Sequence, residues 1–164
     1  DVPGCPRPGI VFKDITPLRA DPGAFAEALE RMAAPLAPPQ AVVAVESRGF
    51  LFGAGLALRW RVPLVPARKS GKLPAATLRE AYALEYGEDA LEVHADALRP
   101  GQEAVVVDDL LATGGTARAA ARLVERLGAR VTGMTFLVEL TGLGGRERLA
   151  GYPVHSVLRY AVEE

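Results

Sequence analysis

Lysine is scarce in this chain: Lys13, Lys69 and Lys72 are the only ones, against 16 arginines. Cysteine is scarcer. Cys5 stands alone, so no disulfide can form within the chain, which fits a reducing cytoplasm. The residue itself reads as a small side chain in a loop. No apolar run approaches the ~20 residues needed to span a bilayer, and no secretory leader is visible. A net charge of −1 offers no global field to nucleic acid or to an anionic membrane. There is no G-K-[ST], no G-x-G-x-x-G after a strand, no G-x-S-x-G and no H-E-x-x-H. P-loop, dinucleotide and hydrolase readings therefore have no support. His94 and His155 have no metal-ligand spacing to each other or to Cys5, and read as surface or rim residues. Internal repeats and low-complexity segments are absent.

What is present is a globular composition, 49% hydrophobic and 24% charged over 164 residues, enough for one domain with one sizeable core. Residues 1–9 carry three prolines and two glycines and read as loop; GIVF then reads as a short strand. Asp21 followed by Pro22 predicts a helix start. Phe25, Leu29, Met32 and Leu36 then recur at helical spacing until PLAPP ends the helix. AVVAV (41–45) predicts a buried strand, 46–49 a turn, 50–60 a helix and 62–67 a strand. Residues 68–80 are polar, basic and without period, and read as a loop long enough to be either functional or disordered. Alternation over 81–86 and 90–94, around Gly87-Glu88-Asp89, predicts a hairpin. A strand over 103–107 leads to a helix over 115–127. There Ala120, Leu123, Val124 and Leu127 face in, and Gly128 closes the helix. A strand (130–140), a short helix (143–150) and a strand (153–159) complete the chain. Apolar strands alternating with helices predict an α/β fold: one domain, 1–164, with a twisted parallel sheet flanked by helices and an antiparallel hairpin attached.

The stretch that carries chemistry is VVVDDLLATGGT, residues 105–116. In open α/β sheets, ligands bind at the carboxyl ends of strands, and Asp108 and Asp109 stand at such an end. Ala112-Thr113-Gly114-Gly115-Thr116 leads from there into a helix. A helix N-terminus offers unpaired N–H groups and the positive end of the dipole, and glycines let backbone wrap an anion closely. Thr113 and Thr116 add hydroxyl donors. The turn is therefore suited to a phosphate. The two carboxylates repel a bare phosphate; they suit a polyol, accepting hydrogen bonds from two hydroxyls, or a metal ion. Phosphate below and hydroxyls above describe a sugar phosphate, most simply ribose 5-phosphate.

In order along nearly the whole chain stand PGIVFKDITP, ESRGFLFG, RKSGKLP, LEYG and VVVDDLLATGGT. Together they resemble the adenine phosphoribosyltransferases, a family with the type I phosphoribosyltransferase fold. The last motif alone resembles the ribose-phosphate signature of the wider superfamily. The resemblance implies transfer of a phosphoribosyl group from phosphoribosyl diphosphate to adenine, giving AMP and diphosphate, with Mg²⁺ to neutralise the leaving group. It also implies a transition state like an oxocarbenium ion, so that catalysis is mostly positioning and electrostatics. Family members usually begin with a further N-terminal helix; the sequence given opens on Asp1 rather than Met, so either its N-terminus is truncated or the helix is dispensable. That difference bears on stability or assembly rather than on chemistry.

The resemblance also implies roles for individual residues. Asp108 and Asp109 take the ribose hydroxyls or order magnesium waters, the protein giving Mg²⁺ no direct ligand. Ala112, Thr113, Gly114, Gly115 and Thr116 hold the 5-phosphate. Glu46, Ser47 and Arg48 form the diphosphate turn, with a non-proline cis peptide at Glu46–Ser47 and Arg48 gripping phosphoryl oxygens. Arg68, Lys69 and Lys72 belong to a mobile lid, loop and hairpin together spanning about 68–94, that closes over diphosphate and excludes water. Arg68 reaches a neighbouring subunit's site, which implies a homodimer. Phe12 stacks on the purine, and backbone groups of Val11 and Lys13 read its edge. Glu85, beside Tyr86 in the hairpin, manages the proton as N9 attacks the anomeric carbon. Enzymes of this fold for 6-oxo purines use a lysine downstream of the signature. Residues 119–164 contain none, which fits a 6-amino group.

Two other readings share the fold. A regulator that binds the diphosphate sugar as a signal would keep VVVDDLLATGGT, lose the lid or base site, and carry a DNA-binding segment. This chain keeps RKSGKLP and LEYG and has no basic helix. An enzyme for xanthine or another base is the second, separable by its substrates.

Overall fold

The computed structural model describes residues 2–3, 11–83 and 88–162, with backbone only for Pro3, Val11 and Phe12. Cys5, Glu85, Tyr86 and Gly87 lie outside the described residues, as do the side chains of Val11 and Phe12. A short bridge pairs β1 (Val2–Pro3) antiparallel with β2 (Val11–Phe12); β2 falls in the short strand expected at GIVF, and β1 falls where prolines and glycines predict loop. Helix α1 (Thr16–Ala20) follows. It is a single turn with Pro17 near its start, too short to leave an apolar period. Helix α2 (Pro22–Ala33) begins as predicted: the Asp21 carboxylate accepts the Ala24 N–H at 3.0 Å.

The remaining elements alternate: β3 (Ala41–Val45), α3 (Gly49–Trp60), β4 (Leu64–Lys69), β5 (Thr77–Ala83), β6 (Glu88–His94), β7 (Glu103–Leu111), α4 (Gly115–Arg126), β8 (Arg130–Thr141), α5 (Gly145–Arg148) and β9 (Val154–Ala161). The chain is a single α/β domain. Its seven-stranded sheet has the order β5-β6-β4-β3-β7-β8-β9. Strands β4, β3, β7, β8 and β9 run parallel, and β5 and β6 form the antiparallel edge.

Alternate residues of the central strands feed two cores. Val43, Val45, Val106 and Phe136 pack towards α4, with Ala120, Leu123 and Val124. Val42, Val105 and Val107 pack towards α2 and α3, with Met32, Phe52 and Leu56. The rings of Phe25 and Phe52 meet edge to face at 5.4 Å. Helix α3 lies close against the sheet because glycine recurs on its inner face. A Cβ on Gly53 would overlap that of Ala44, and one on Gly49 would come within 2.7 Å of Asp108 Oδ1. This close approach brings the start of α3 beside the ends of β3 and β7. No helix among the described residues is long and apolar enough to cross a membrane.

The structure corrects three boundaries near the site. The loop predicted over 68–80 is shorter. Arg68 and Lys69 belong to β4, paired with Glu92 and Leu91, and β5 begins at Thr77. Strand β5 is the sheet edge and only half-buried, so its outward residues are polar and its alternation is faint. Strand β7 runs to Leu111 rather than ending at Val107, pairing with β8 as far as Glu139. The aspartates interrupt the apolar pattern without ending the strand.

Candidate active site

A cavity of about 460 Å³ opens at the carboxyl ends of β3 and β7. Three chain segments converge on it. Glu46, Ser47 and Arg48 come from the β3–α3 turn, Asp108 and Asp109 from β7, and Ala112 to Ala117 from the turn into α4. Lys69, Tyr82, Asp89 and Leu91 close the side towards the hairpin. The Glu46–Ser47 peptide is cis.

Carboxylates crowd this space, and most of them are paired. Asp109 is buried and meets Arg48 Nε at 2.8 Å. Glu46 Oε2 accepts from Arg68 Nε at 3.0 Å and from the Lys69 backbone N–H at 3.1 Å. Asp89 Oδ2 lies 3.0 Å from Lys69 Nζ and accepts from the Tyr82 hydroxyl at 3.4 Å. Burial works against the Asp89 charge. The Lys69 ammonium and the Ala90 N–H outweigh it, and hold the carboxyl below its usual range. The hydrogen bond to Asp89 in turn raises Lys69. Burial raises the Tyr82 phenol.

Asp108 is in no ion pair among the described residues. Its Oδ1 accepts the Asp109 N–H at 2.8 Å. Burial, and then the neighbouring Asp109 charge, push its carboxyl well above the usual range. A carboxyl in that state gains most from hydroxyl donors, which would satisfy it without a second charge.

The phosphate turn is shaped by close backbone packing. Gly114 has φ +78°, a left-handed conformation that glycine adopts without steric cost. A Cβ on Gly114 would come within 2.6 Å of Gly145 O, and a Cβ on Gly145 would overlap Ala112 O. Gly115 starts α4, so the N–H groups of the first turn, which have no partner within a helix, belong to this segment. On the other side of Gly115, a Cβ would touch the Tyr82 ring and Arg148 Nη1, each at 3.4 Å.

Of the residues singled out from the sequence, Glu46, Ser47, Arg48, Lys69, Asp108, Asp109 and 112–116 line this one cavity. Arg68 and Lys72 do not. The Arg68 guanidinium is directed to Glu46 and to the Lys72 carbonyl, at 3.2 Å. Lys13 also stands apart, its ammonium 4.4 Å from the centre of the Tyr160 ring. Glu85, Tyr86 and the Phe12 side chain fall outside the described residues. Sequence reasoning missed Tyr82, Asp89 and Arg148. The hairpin's alternation could have flagged the first two, since every second residue of a strand faces one side.

Comparison with known proteins gives the family and the fold. Residues 24–154 match the phosphoribosyl transferase domain family. The adenine phosphoribosyltransferase of Symbiobacterium thermophilum is 55% identical over 157 residues, covering 94% of this chain and 92% of that protein. The crystal structure of adenine phosphoribosyltransferase from Rhodothermus marinus is similar at a TM-score of 0.92 and 51% identity, over 97% of this chain and 92% of that one. The Saccharomyces cerevisiae enzyme, complexed with D-2,5-dideoxy-2,5-imino-altritol 1,6-bisphosphate and adenine, has a TM-score of 0.88 at 40% identity, over 95% of this chain and 92% of that one.

Proposed function

The chain belongs to the phosphoribosyltransferase family, as an adenine phosphoribosyltransferase of purine salvage, and on that premise we propose how its cavity divides the work. The observation that carries the assignment is the meeting in one cavity of a glycine phosphate turn with a carboxyl, Asp108, that is in no ion pair among the described residues. The 5-phosphate of phosphoribosyl diphosphate sits on the N–H groups of 112–116. Its ribose hydroxyls donate to Asp108. The yeast relative, which holds a bisphosphate analogue and adenine, supports a site of this composition.

The diphosphate lies towards Arg48 and Lys69. Both cations face carboxylates here, Asp109 and Asp89. The incoming anion exchanges for Asp89 at Lys69, while the buried Asp109 keeps Arg48 oriented and Glu46 keeps Arg68 and the Lys69 backbone in place. The purine N9 lone pair then forms the new bond to the anomeric carbon. The carbon–oxygen bond to diphosphate breaks, and its electron pair leaves with the diphosphate. The proton shed by the purine ring passes to Glu85. Phe12 stacks on the base, and the backbone of Val11 and Lys13 reads its edge. Tyr86, Lys72 and the hairpin close over the complex and exclude water.

Mg²⁺ fits the donor set in one way. Asp108 and Asp109 supply too few oxygens for a complete site, and no three acidic, histidine or cysteine side chains converge as ligands among the described residues. These two residues would hold the ion through its waters, and the substrate would provide the remaining oxygens. An ion held there would supply charge neutralisation for the departing diphosphate. We also place the enzyme in the cytoplasm as a homodimer, on the family resemblance and the lone cysteine; sedimentation tests the assembly.

Initial rates of nucleotide formation from phosphoribosyl diphosphate and Mg²⁺ test the reading, with adenine, hypoxanthine, guanine and xanthine compared. Turnover confined to adenine is the expected result. Faster turnover with any oxopurine would overturn the base assignment.

A further inference from the structure

Neither Glu139 nor Arg146 lines the cavity, yet both stand directly behind its phosphate turn. Glu139 is buried in β8, paired in register with Leu111 of β7 on one side and Arg159 of β9 on the other. Arg146 grips it with a two-pronged contact, Nε to Oε1 at 3.0 Å and Nη2 to Oε2 at 2.5 Å. Its remaining donors reach Val154 O at 2.8 Å and Ser156 Oγ at 3.4 Å. Arg159 adds a second cation 3.4 Å from the same carboxylate. The hydrogen bonds to Arg146 hold the Glu139 carboxyl below its usual range. Such a fork fixes direction as well as distance.

What Arg146 fixes is its own neighbour. Gly145 packs backbone to backbone against the turn. Its Cα lies 3.2 Å, and its carbonyl oxygen 2.6 Å, from where a Cβ on Gly114 would be. A Cβ on Gly145 itself would overlap Ala112 O and meet Leu111 Cδ1 at 3.1 Å. The turn therefore has a hard backbone wall behind it, and the Arg146 fork anchors that wall to β8 and β9. Phosphate capture by backbone N–H groups needs several of them aimed at one point. A displacement of the order of 1 Å is costly in such a site.

We propose that Glu139 and Arg146 are positioning residues for the 5-phosphate, acting through Gly145 on the 112–116 turn. The proposal rests on the assignment of that turn to the 5-phosphate. It predicts a split that a purely structural ion pair would not give. Arg146→Lys keeps the charge but loses the fork. It should raise KM for phosphoribosyl diphosphate and Kd for ribose 5-phosphate by about tenfold each, and leave KM for adenine within about twofold. Gly145→Ala should raise the same two constants further, without touching the ion pair.

The experiment measures these constants, with melting temperatures, for the wild type, Arg146→Lys, Glu139→Gln, Gly145→Ala and the turn variant Thr113→Ala. Parallel rises in the two phosphate-dependent constants, well below each variant's melting temperature, support the proposal. A lowered melting temperature with unchanged phosphate affinity in Arg146→Lys and Gly145→Ala, while Thr113→Ala weakens it, overturns the positioning role. No effect from Thr113→Ala or the others overturns the phosphate assignment, and the positioning role with it.

Discussion

The phosphate turn and the cation wall face each other across one cavity, yet backbone packing fixes the first and side-chain ion pairs fix the second. Gly114 and Gly145 touch without side chains between them, which leaves no room for adjustment. Lys69 and Asp89 meet at 3.0 Å with the lysine side chain 57% exposed. Pairs that exposed are worth roughly 0–1 kcal/mol, so an incoming anion can displace Asp89 at small cost. The difference separates two tasks. The ribose 5-phosphate is common to substrate and product, and its half of the site can be rigid. The diphosphate must be gripped and then released, and its half offers an exchangeable pair, Lys69 with Asp89.

The sharpest way to break this comparison is to empty the rigid half of its carboxylates. Asp108→Ala combined with Asp109→Ala should lower kcat/KM by about 10³ or more, because both the ribose contacts and the Arg48 partner are lost. Retained turnover in initial-rate assays would contradict the site. Gly114→Ala comes next. Its positive φ costs about 1–3 kcal/mol for a non-glycine residue, and the added methyl meets Gly145 O. Phosphoribosyl diphosphate KM should rise about 10²-fold, with a lower melting temperature. On the other wall the two readouts should part. Lys69→Met should raise the same KM by about tenfold while stability moves by less than about 1 kcal/mol, as expected for an exposed pair. A large loss of stability there would erase the distinction between the walls.

The smallest effect concerns pH. The folded state holds the Asp108 proton more tightly than the unfolded chain does, because burial and Asp109 raise its pKa. Stability from this proton is complete below the ordinary aspartate value of 3.8. It is lost as pH rises through the raised folded value. Asp108→Asn cannot titrate, so its stability relative to the wild type should climb as pH rises above about 4. Urea unfolding across that range checks the sign, and a constant difference would remove Asp108 as the cause.

Much of the rigid half was legible in the sequence, because its chemistry is local. Asp108, Asp109 and the glycine turn are consecutive, and a strand, a turn and a helix start imply their placement. The central strands were equally plain, since burial on both faces makes them apolar throughout. The other wall was harder to read. Strand β5 is polar on its open side, so 77–80 looked like loop, and Arg68 and Lys69 looked like parts of that loop rather than of β4. Asp89 and Tyr82 reach the cavity only through the pairing of β5 with β6. Gly145 lies 31 positions beyond Gly114, and nothing in either glycine announces the other. Partners that meet through sheet topology leave no mark in local spacing.

The most direct measurement is hydrogen exchange on the wild type, alone and with ribose 5-phosphate plus diphosphate and Mg²⁺. If the two walls differ as described, amides of 118–122, whose acceptors are the turn and the first residues of α4, are already protected in the protein alone, and the N–H groups of 113–117 gain protection only where phosphate covers them. Those of 68–73 and 88–92 gain most of their protection on ligand binding. Equal gains in 118–122 and in the cation wall, or a turn that orders only with ligand, would contradict a preformed phosphate site facing an exchangeable cation wall.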